Sequence, residues 1–239
     1  MIFQNPMSSL NPVYTIGYQL IEALKCHKKI SRKDAKIQVI NSLMLVGIDN
    51  PTKRIKQYPN ELSGGMLQKV MIAMSLLSNP QLLIADEPTT ALDVTIQSQI
   101  IELLLKLKKQ SAMSIIFITH NLAIAAQICD KISIMYAGKI VETATANQIF
   151  YNPAHPYTIG LLQSMPNIEE NNKKLIPING SPLDIPDIAA GCPFSIRCKS
   201  CMKICLKAVP PKISLNDDHE VSCWHVFNKL NLKENEYAK

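Results

Sequence analysis

The apolar positions along the first 150 residues alternate between helical spacing and short continuous runs. In residues 15–29 and 33–47 apolar side chains recur every three or four positions, which indicates amphipathic helices. The runs at 82–85 and 114–119 are short, apolar and bounded by breakers, as is typical of buried parallel strands. Further helices are predicted at about 64–77, 94–109, 122–129 and 157–164, and further strands at 131–136 and 140–142.

The order of these elements predicts an α/β fold. Strands and helices alternate after residue 82, which favours a parallel sheet with helices on its faces. Asp86 and Glu87 follow the first strand, and His120 follows the second. Because ligands bind at the carboxyl ends of parallel strands, we expect the chemistry of this protein at that edge.

Composition excludes several classes of protein. With 47% apolar and 18% charged residues, the 239-residue chain can bury a core and is not a disordered protein. No apolar run approaches the roughly 18 residues of a membrane helix, and no signal-peptide pattern is present, so we expect a cytosolic chain. The net charge of +6 is spread thinly and aromatic residues are 5%, which argues against nucleic acid as a partner.

Glycine is scarce, and its positions exclude two phosphate-binding motifs. The chain has only 8 glycines, and none fits G-x-x-x-x-G-K-[ST] or G-x-G-x-x-G. The one Gly-Lys pair is Gly138-Lys139, with Ser133 where the first glycine of a P-loop would stand. The residues that cradle phosphates in a P-loop are therefore not encoded here.

Four short motifs nevertheless have the chemistry of phosphate hydrolysis. Asp86 offers a hard oxygen ligand for Mg²⁺, and Glu87 can polarise an attacking water. Gly64 and Gly65 open a predicted helix, where free N–H groups bind phosphate, and His120 can hydrogen-bond a γ-phosphate. Each has an ordinary structural explanation alone, but their order and spacing together favour a nucleotide site.

At these residues the sequence resembles the ATP-binding-cassette (ABC) ATPases. LSGGM at 62–66 is similar to the signature motif, LLIADE at 82–87 to Walker B, and ALD at 91–93 to the D-loop. His120 resembles the switch histidine, and Gln4 the Q-loop glutamine that contacts Mg²⁺ and couples to the membrane partner. The resemblance implies ATP and Mg²⁺ as cofactors, Glu87 and His120 as catalytic residues, Asp86 and Gln4 as Mg²⁺ contacts, and Gln4, Ser63, Gly64, Gly65, Asp86 and Asp93 as nucleotide-binding residues.

Longer stretches resemble the oligopeptide and dipeptide importers within that family. They are IFQNPMSSLNP, LSGGMLQKVMIAMSL and NPAHPYTIGLL, the last containing the HPY triplet at 155–157. Met66 and the VMIAM stretch that follows it favour the D-type subunit. The resemblance extends over residues 1 to about 227. It implies a head-to-tail dimer with an F-type ATPase subunit. The dimer is expected to bind transmembrane permease subunits and, through them, to act with a substrate-binding protein. The chain is then expected to be peripheral, on the cytoplasmic face of the inner membrane. Nickel importers use similar subunits, so the substrate stays open.

Five of the seven cysteines crowd into the last fifth of the chain, which in a cytosolic protein suggests a metal site. Four of them resemble cysteines that the importer family is proposed to use for a [4Fe–4S] cluster: Cys192, Cys198, Cys205 and Cys223. Structural zinc is the first alternative, and metal-free thiols are the second. Cys201 departs from the family pattern and is either a spare thiol or part of another ligand set.

The expected organisation has two parts. Residues 1–150 are expected to form a P-loop NTPase-like ABC ATPase domain that is incomplete because its Walker A part is missing, with a helical subdomain at about 15–78. Residues 151–230 are expected to form a loop-rich extension with the cysteines. We therefore expect either the C-terminal portion of a peptide-importer ATPase, truncated or split before the Q-loop, or a non-catalytic partner that lends its signature motif. A DNA-repair or chromosome-type relative fits the HPY and cysteine segment poorly.

Overall fold

The computed structural model describes residues 1–90, 92–111, 113–165, 177–180 and 190–237. Within them the chain forms two compact units, Met1–Ile128 and Cys129–Lys239. Each unit has its own sheet, a two-stranded one in the first and a four-stranded one in the second.

The first unit opens with helices that pack on one another through apolar stripes. Residues such as Leu20, Val39 and Ile72 are fully buried, one from each of three long helices that contact each other. Within each helix the buried apolar residues recur every three or four positions, which is the periodicity that predicted these elements. The helices are α1 (Pro6–Ser9), α2 (Ile16–His27), α3 (Arg32–Leu45), α4 (Pro51–Arg54) and α5 (Gly64–Leu76).

Side-chain caps determine where the long helices begin. The side chains of Thr15, Ser31 and Ser63 accept the backbone N–H groups of Tyr18, Asp34 and Met66, respectively. A cap satisfies one of the N–H groups that the first turn leaves without a partner.

A parallel strand pair follows the helices. The strands β1 (Leu82–Asp86) and β2 (Ser114–Ile118) are connected by α6 (Val94–Gln110), and α7 (Leu122–Ile128) follows β2. Leu82 pairs with Ser114 and Asp86 with Ile118, so the two strands end at the same level. Ile2 forms a parallel bridge with Ala85 on the other side of β1.

The third predicted strand lies in a different sheet from the one expected. In the second unit β3 (Lys131–Tyr136) turns back into β4 (Lys139–Thr145) and pairs with it antiparallel. Ala137 and Gly138 both have positive φ, 45° and 74°, which closes a two-residue hairpin. The prediction of one parallel sheet through residue 136 is therefore wrong for this strand, because its backbone pairs with β4 across the hairpin and not with β1 or β2.

The segment expected to be rich in loops contains regular structure. Strands β5 (Lys212–Asn216) and β6 (His219–Ser222) complete a sheet of order β3-β4-β6-β5. Both strands are five residues or shorter, so their alternation of buried and exposed positions is a weak sequence signal. The remaining helices are α8 (Ala146–Tyr151), α9 (Pro156–Gln163) and α10 (Trp224–Tyr237).

Across the described ranges, no helix combines the length and the apolar character that crossing a bilayer requires.

Gly17 gives a test of the packing between α2 and the segment after α4. Its N–H donates to the carbonyl oxygen of Ile55 at 2.8 Å, and a Cβ at Gly17 would lie 2.6 Å from that oxygen. We expect Gly17→Ala to lower the free energy of unfolding by about 1–2 kcal/mol, because overpacking outweighs alanine's helix propensity. Urea unfolding followed by circular dichroism measures this loss.

Glu22→Ala is the control, because Glu22 lies on the exposed side of the same helix. Equal stability of Gly17→Ala and the unsubstituted chain would show that the close approach is not part of the fold.

Candidate functional site

Glu87 lies at the centre of a small polar group at the end of β1. Its Oε2 atom accepts hydrogen bonds from Gln4 Nε2 at 2.7 Å and from Thr90 Oγ1 at 2.9 Å. Its Oε1 atom is 3.1 Å from Nδ1 of His120. Three partners from three chain segments therefore hold one carboxylate in one orientation.

The strand pairing explains why these segments meet. Backbone hydrogen bonds join Ile2 to both Ile84 and Asp86, and Gln4 follows two residues later. The N–H of Glu87 donates to the carbonyl oxygen of Ile118 at 3.0 Å, which places His120 two residues beyond. The expected meeting of Glu87 and His120 at one edge of the sheet is confirmed, whereas the roles of these residues stay predictions.

Glu87 also has an unusual backbone conformation. Its φ is 43°, in the left-handed region that a β-carbon disfavours. Such a conformation persists only where the surrounding structure enforces it, and it is frequent at functional sites. Here the turn between the strand and Thr90 enforces it, with Thr90 N donating to the carbonyl oxygen of Glu87 at 3.1 Å.

The electrostatics of the group keep Glu87 ionised. The hydrogen bond with His120, and then the one from Thr90, hold the pKa of Glu87 below its usual value. The side chain of Glu87 is 24% exposed and that of His120 is 74% exposed, so water reaches both. Because a carboxylate only accepts hydrogen bonds, Nδ1 of His120 carries the proton, and Nε2 has no hydrogen bond to any described residue.

Asp86 and Gln4 provide oxygen atoms beside Glu87. Gln4 uses its Nε2 atom for Glu87, which leaves its carbonyl oxygen without a hydrogen bond to any described residue. Asp86 is half-buried at the last position of β1. Carboxylate and carbonyl oxygens suit Mg²⁺, so the chemistry of this pair fits the predicted ion.

The signature residues lie at a different place in the first unit. Ser63 caps α5 by accepting the N–H of Met66 at 3.4 Å, and Gly64 and Gly65 form the first turn. A Cβ at Gly65 would lie 2.7 Å from Cγ2 of Ile96, so glycine allows α5 to approach α6 closely. Among the described residues no hydrogen bond joins this turn to Glu87. The N–H groups of the turn have no intrahelical partner and are suited to an anion.

Asp93 has a local structural role. Its Oδ1 atom accepts the N–H of Ile96 at 2.9 Å and caps α6. Ala91, in the predicted D-loop, lies outside the described residues. The predicted nucleotide-binding role of Asp93 therefore stays a prediction beside its observed capping role.

Thr90 is the member of the Glu87 group that sequence reasoning missed. It stands three residues after Glu87 in a turn with Pro88 between them. A hydroxyl residue that closes a proline-containing turn after a strand could have predicted this contact, because such side chains hydrogen-bond to neighbouring groups of the turn.

The cysteines of the second unit lie near one another but do not form a metal-binding group. Cys192, Cys205 and Cys223 are buried, Cys198 is half-buried and Cys201 is exposed. Burial raises the pKa of Cys198 to about 11 and also raises the pKa of Cys192 and of Cys223. Metal binding needs thiolates that converge. In the part of the chain that the structure covers, no group of three or more His, Cys, Asp or Glu side chains could hold a metal ion. The expected iron–sulfur or zinc site therefore finds no support here.

A buried hydrogen-bonded network around Glu142 in the second unit was not anticipated. Glu142 Oε1 is 2.7 Å from both His219 Nε2 and the N–H of Ala154, and Oε2 accepts the N–H of His155 at 2.9 Å. The side chains of Glu142 and His219 are 0% and 3% exposed. Buried charges are stable only when paired in this way. The pairing joins β4, β6 and the start of α9.

Comparisons with known proteins were made for the whole chain. A family model described as ABC transporter matches residues 1–90, and one described as the C-terminal region of oligopeptide/dipeptide transporters matches residues 141–205.

The dipeptide transport ATP-binding protein DppD of Bacillus subtilis is 50% identical over 94% of this chain and 67% of its own length. The oligopeptide transport ATP-binding protein OppD of the same organism is 52% identical over 94% of this chain and 63% of its own length. The chain thus spans about two thirds of these relatives.

Solved structures give the same result. The structure of cbiO1 from Clostridium perfringens, part of an ABC transporter complex, matches 63% of this chain and 58% of its own, with a TM-score of 0.56 and 27% identity. An ATP-binding cassette solved as a dimer in a post-hydrolysis state with ADP and Pi matches 61% of this chain and 62% of its own. The TM-score is 0.54 and the identity is 25%. The predicted fold, an incomplete ABC ATPase domain, is confirmed.

His155 gives a test of the buried network through pH. Its Nδ1 accepts the N–H of Tyr157 at 3.0 Å, and burial, opposed by the Glu142 charge, lowers its pKa from 6.5 to about 4. The unfolded chain therefore takes up a proton before the folded one as pH falls. We expect the free energy of unfolding to decrease by about 3 kcal/mol between pH 6.5 and 4 from this residue.

His155→Asn is the matched variant, because asparagine keeps a capping acceptor but does not titrate. Its unfolding, followed by the fluorescence of the single tryptophan, Trp224, should depend less steeply on pH in this window. Identical slopes for the two proteins would contradict the assignment.

Proposed function

Because the chain belongs to the family of ATP-binding proteins of oligopeptide and dipeptide ABC transporters, we propose that it forms the catalytic-carboxylate and signature part of a peptide-importer ATPase. The Glu87 group is the observation that carries this proposal. Gln4, Thr90 and His120 hold an ionised, water-accessible carboxylate at the carboxyl end of a parallel strand. That is where an α/β sheet binds its ligands.

Each residue of the group has a chemical role in the proposal. Glu87 accepts a proton from the attacking water, since its lowered pKa keeps it ionised at neutral pH. His120 holds Glu87 through Nδ1 and presents Nε2 to the terminal phosphate. Asp86 and Gln4 hold Mg²⁺, which neutralises phosphate charge when it is bound.

The signature turn acts on a second nucleotide. Ser63, Gly64 and Gly65 expose the positive end of α5, and no hydrogen bond of the described residues joins them to Glu87. We therefore assign this turn to ATP held mainly by a partner ATPase subunit in a head-to-tail dimer. Asp93, at the start of α6, belongs to the same contact.

The phosphate-cradling residues of the site come from polypeptide other than these 239 residues. No P-loop occurs in the sequence, and the chain spans 67% and 63% of the two Bacillus relatives. Without a lysine and an amide nest the chain lacks the donors that stabilise the transferred phosphate. In this proposal the chain is catalytic only together with such a segment.

The assembly follows from the same family. We propose an F-type ATPase partner, transmembrane permease subunits that position the dimer at the cytoplasmic face of the inner membrane, and a substrate-binding protein that delivers the peptide. The relatives named for dipeptide and oligopeptide transport favour peptide over nickel. Residues 1–150 are proposed as the ATPase part and 151–230 as the importer-type extension, and the family matches at 1–90 and 141–205 support this order of the two parts.

A second candidate function is a non-catalytic subunit that lends only its signature turn. The absence of a P-loop from the sequence and the exposure of Ser63 and Gly64 favour it. In that case Glu87 has no catalytic role, so the two functions differ in what a Glu87 substitution does.

Peptide uptake by cells that produce the chain separates the two functions. We expect Glu87→Gln to lower uptake of a labelled peptide by about 100-fold, because a general base is removed. Ser63→Arg should lower it similarly, because a bulky cation replaces the cap of the phosphate-binding turn. Glu102→Gln and Ser98→Arg, at exposed positions of α6, are the matched controls.

Full uptake with Glu87→Gln but none with Ser63→Arg would favour the signature-lending subunit. Full uptake with both variants would contradict both functions.

A further inference from the structure

The second unit contains a cavity that the proposed ATPase reaction does not use. Its volume is about 610 Å³, which is within the range of about 300–1,000 Å³ that small-molecule sites occupy. It lies between residues 153–163, residues 177–179, residues 194–200 and the first turns of α10. Among the described residues that line it there is no cysteine, so the cysteine side chains do not form part of this cavity.

Part of the cavity lining is apolar and held in place. Pro156, Ile159 and Val226 contribute aliphatic surface, and Phe194 contributes an aromatic ring. Phe194 is 3% exposed, and its ring makes an edge contact with the ring of Tyr136, with 5.2 Å between the two centroids. Packing of this kind fixes an aromatic ring, so the apolar surface is already formed for the body of a ligand.

The charged side chains of the lining all have the same sign. They are Arg197, Lys199 and Lys229, and none of the described residues that line the cavity is acidic. Neither lysine forms an ion pair or a side-chain hydrogen bond with a described residue. Three positive charges around one cavity, with no negative charge from the lining to balance them, attract an anion.

Arg197 is oriented by partners that carry no charge. Its Nε donates to the carbonyl oxygen of Asn179 at 2.9 Å, and its Nη2 donates to that of Ile178 at 3.0 Å. Its Nη1 donates to the hydroxyl of Tyr136 at 3.5 Å. These contacts fix the guanidinium group without neutralising it. Because Nη1 and Nη2 carry two N–H groups each, both keep one donor for the oxygens of a bound anion.

We propose that this cavity is a binding site for a small organic carboxylate, a ligand with an apolar body and one anionic end. Arg197 binds the carboxylate, since the two remaining N–H groups of its fork match two carboxylate oxygens. Lys199 and Lys229 lie at exposed positions and attract the anion, while Phe194 and its apolar neighbours cover the body. The proposal is independent of the ATPase function, because the Glu87 group lies in the first unit.

Fluorescence titration of the purified full chain with dansylglycine tests the proposal. This probe has an aromatic body and a carboxylate, and its emission rises when the ring leaves water. Dansylamide has the same aromatic body without the carboxylate and is the matched probe. We expect saturable binding of dansylglycine that is about 10-fold tighter than that of dansylamide, because hydrogen bonds between charged groups are lost with the carboxylate.

Charge reversal shows whether the probe binds in this cavity. The double variant Lys199→Glu, Lys229→Glu should weaken the binding of dansylglycine by about 10-fold and that of dansylamide by less than about twofold. Lys207→Glu is the control, because Lys207 is an exposed lysine of the same unit that does not line the cavity. Arg197→Gln should remove the preference for dansylglycine, and circular dichroism shows whether this variant folds. The lysine variants test the site independently of its folding.

Three results would overturn the proposal. The first is equal affinity of the unsubstituted chain for the two probes, or no saturable binding of dansylglycine. The second is a double lysine variant that binds dansylglycine as the unsubstituted chain does, or only as weakly as Lys207→Glu does. The third is displacement of dansylglycine by inorganic phosphate at lower concentration than by N-acetylphenylalanine, because the site would then select phosphate and not a carboxylate.

Discussion

The parallel pairing of β1 with β2 on one side and with Ile2 on the other brings Gln4, Glu87 and His120 together. Its register places the end of β1 beside the end of β2, and the bridge from Ile2 brings the first residues to the same level. Gln4, Glu87 and His120 come from segments up to 116 residues apart, counted from 4 to 120. A slip of one residue in either pairing would turn the side chains to the other face and separate them. The site is therefore a consequence of strand register more than of any local motif.

The same constraint explains why the carboxylate has its present environment. Glu87 adopts a left-handed conformation that is unfavourable alone, and three hydrogen bonds compensate for it. These bonds keep Glu87 ionised and oriented while leaving it reachable by water. An oriented, hydrated base beside oxygen ligands for Mg²⁺ is suited to hydrolysis, whereas the donors that would hold the phosphates are not encoded in this chain.

Much of the first unit was predictable from sequence because its signals are local. Helices such as Ile16–His27 carry an apolar stripe and a side-chain cap, and the strand before Asp86 is a bounded apolar run. The meeting of Glu87 with His120 followed from a general rule about parallel strands. Thr90 was missed because its contact depends on the shape of a turn. The third strand was misplaced because the order of strands and helices along the chain does not specify which strands pair, and this strand pairs with β4 across the turn at Ala137 and Gly138.

The second unit was less predictable, since its important contacts are between distant residues. Glu142 and His219 are 77 positions apart and pair in the interior. The spacing of apolar residues does not predict such a pair. Charged residues are also seldom fully buried, so both would be expected at the surface. The cysteines show the opposite problem. Their spacing suggested a metal site, yet no group of three or more His, Cys, Asp or Glu side chains in the described residues could hold a metal ion.

The central claim is that this chain carries the carboxylate and signature parts of an ATPase site but lacks the phosphate cradle. Turnover of Mg-ATP by the purified chain alone tests it most directly, with phosphate release as the measurement. The account predicts no release above the uncatalysed background, with or without Glu87→Gln. Sustained phosphate release that Glu87→Gln abolishes would contradict it, because the chain would then hold and cleave ATP without a P-loop.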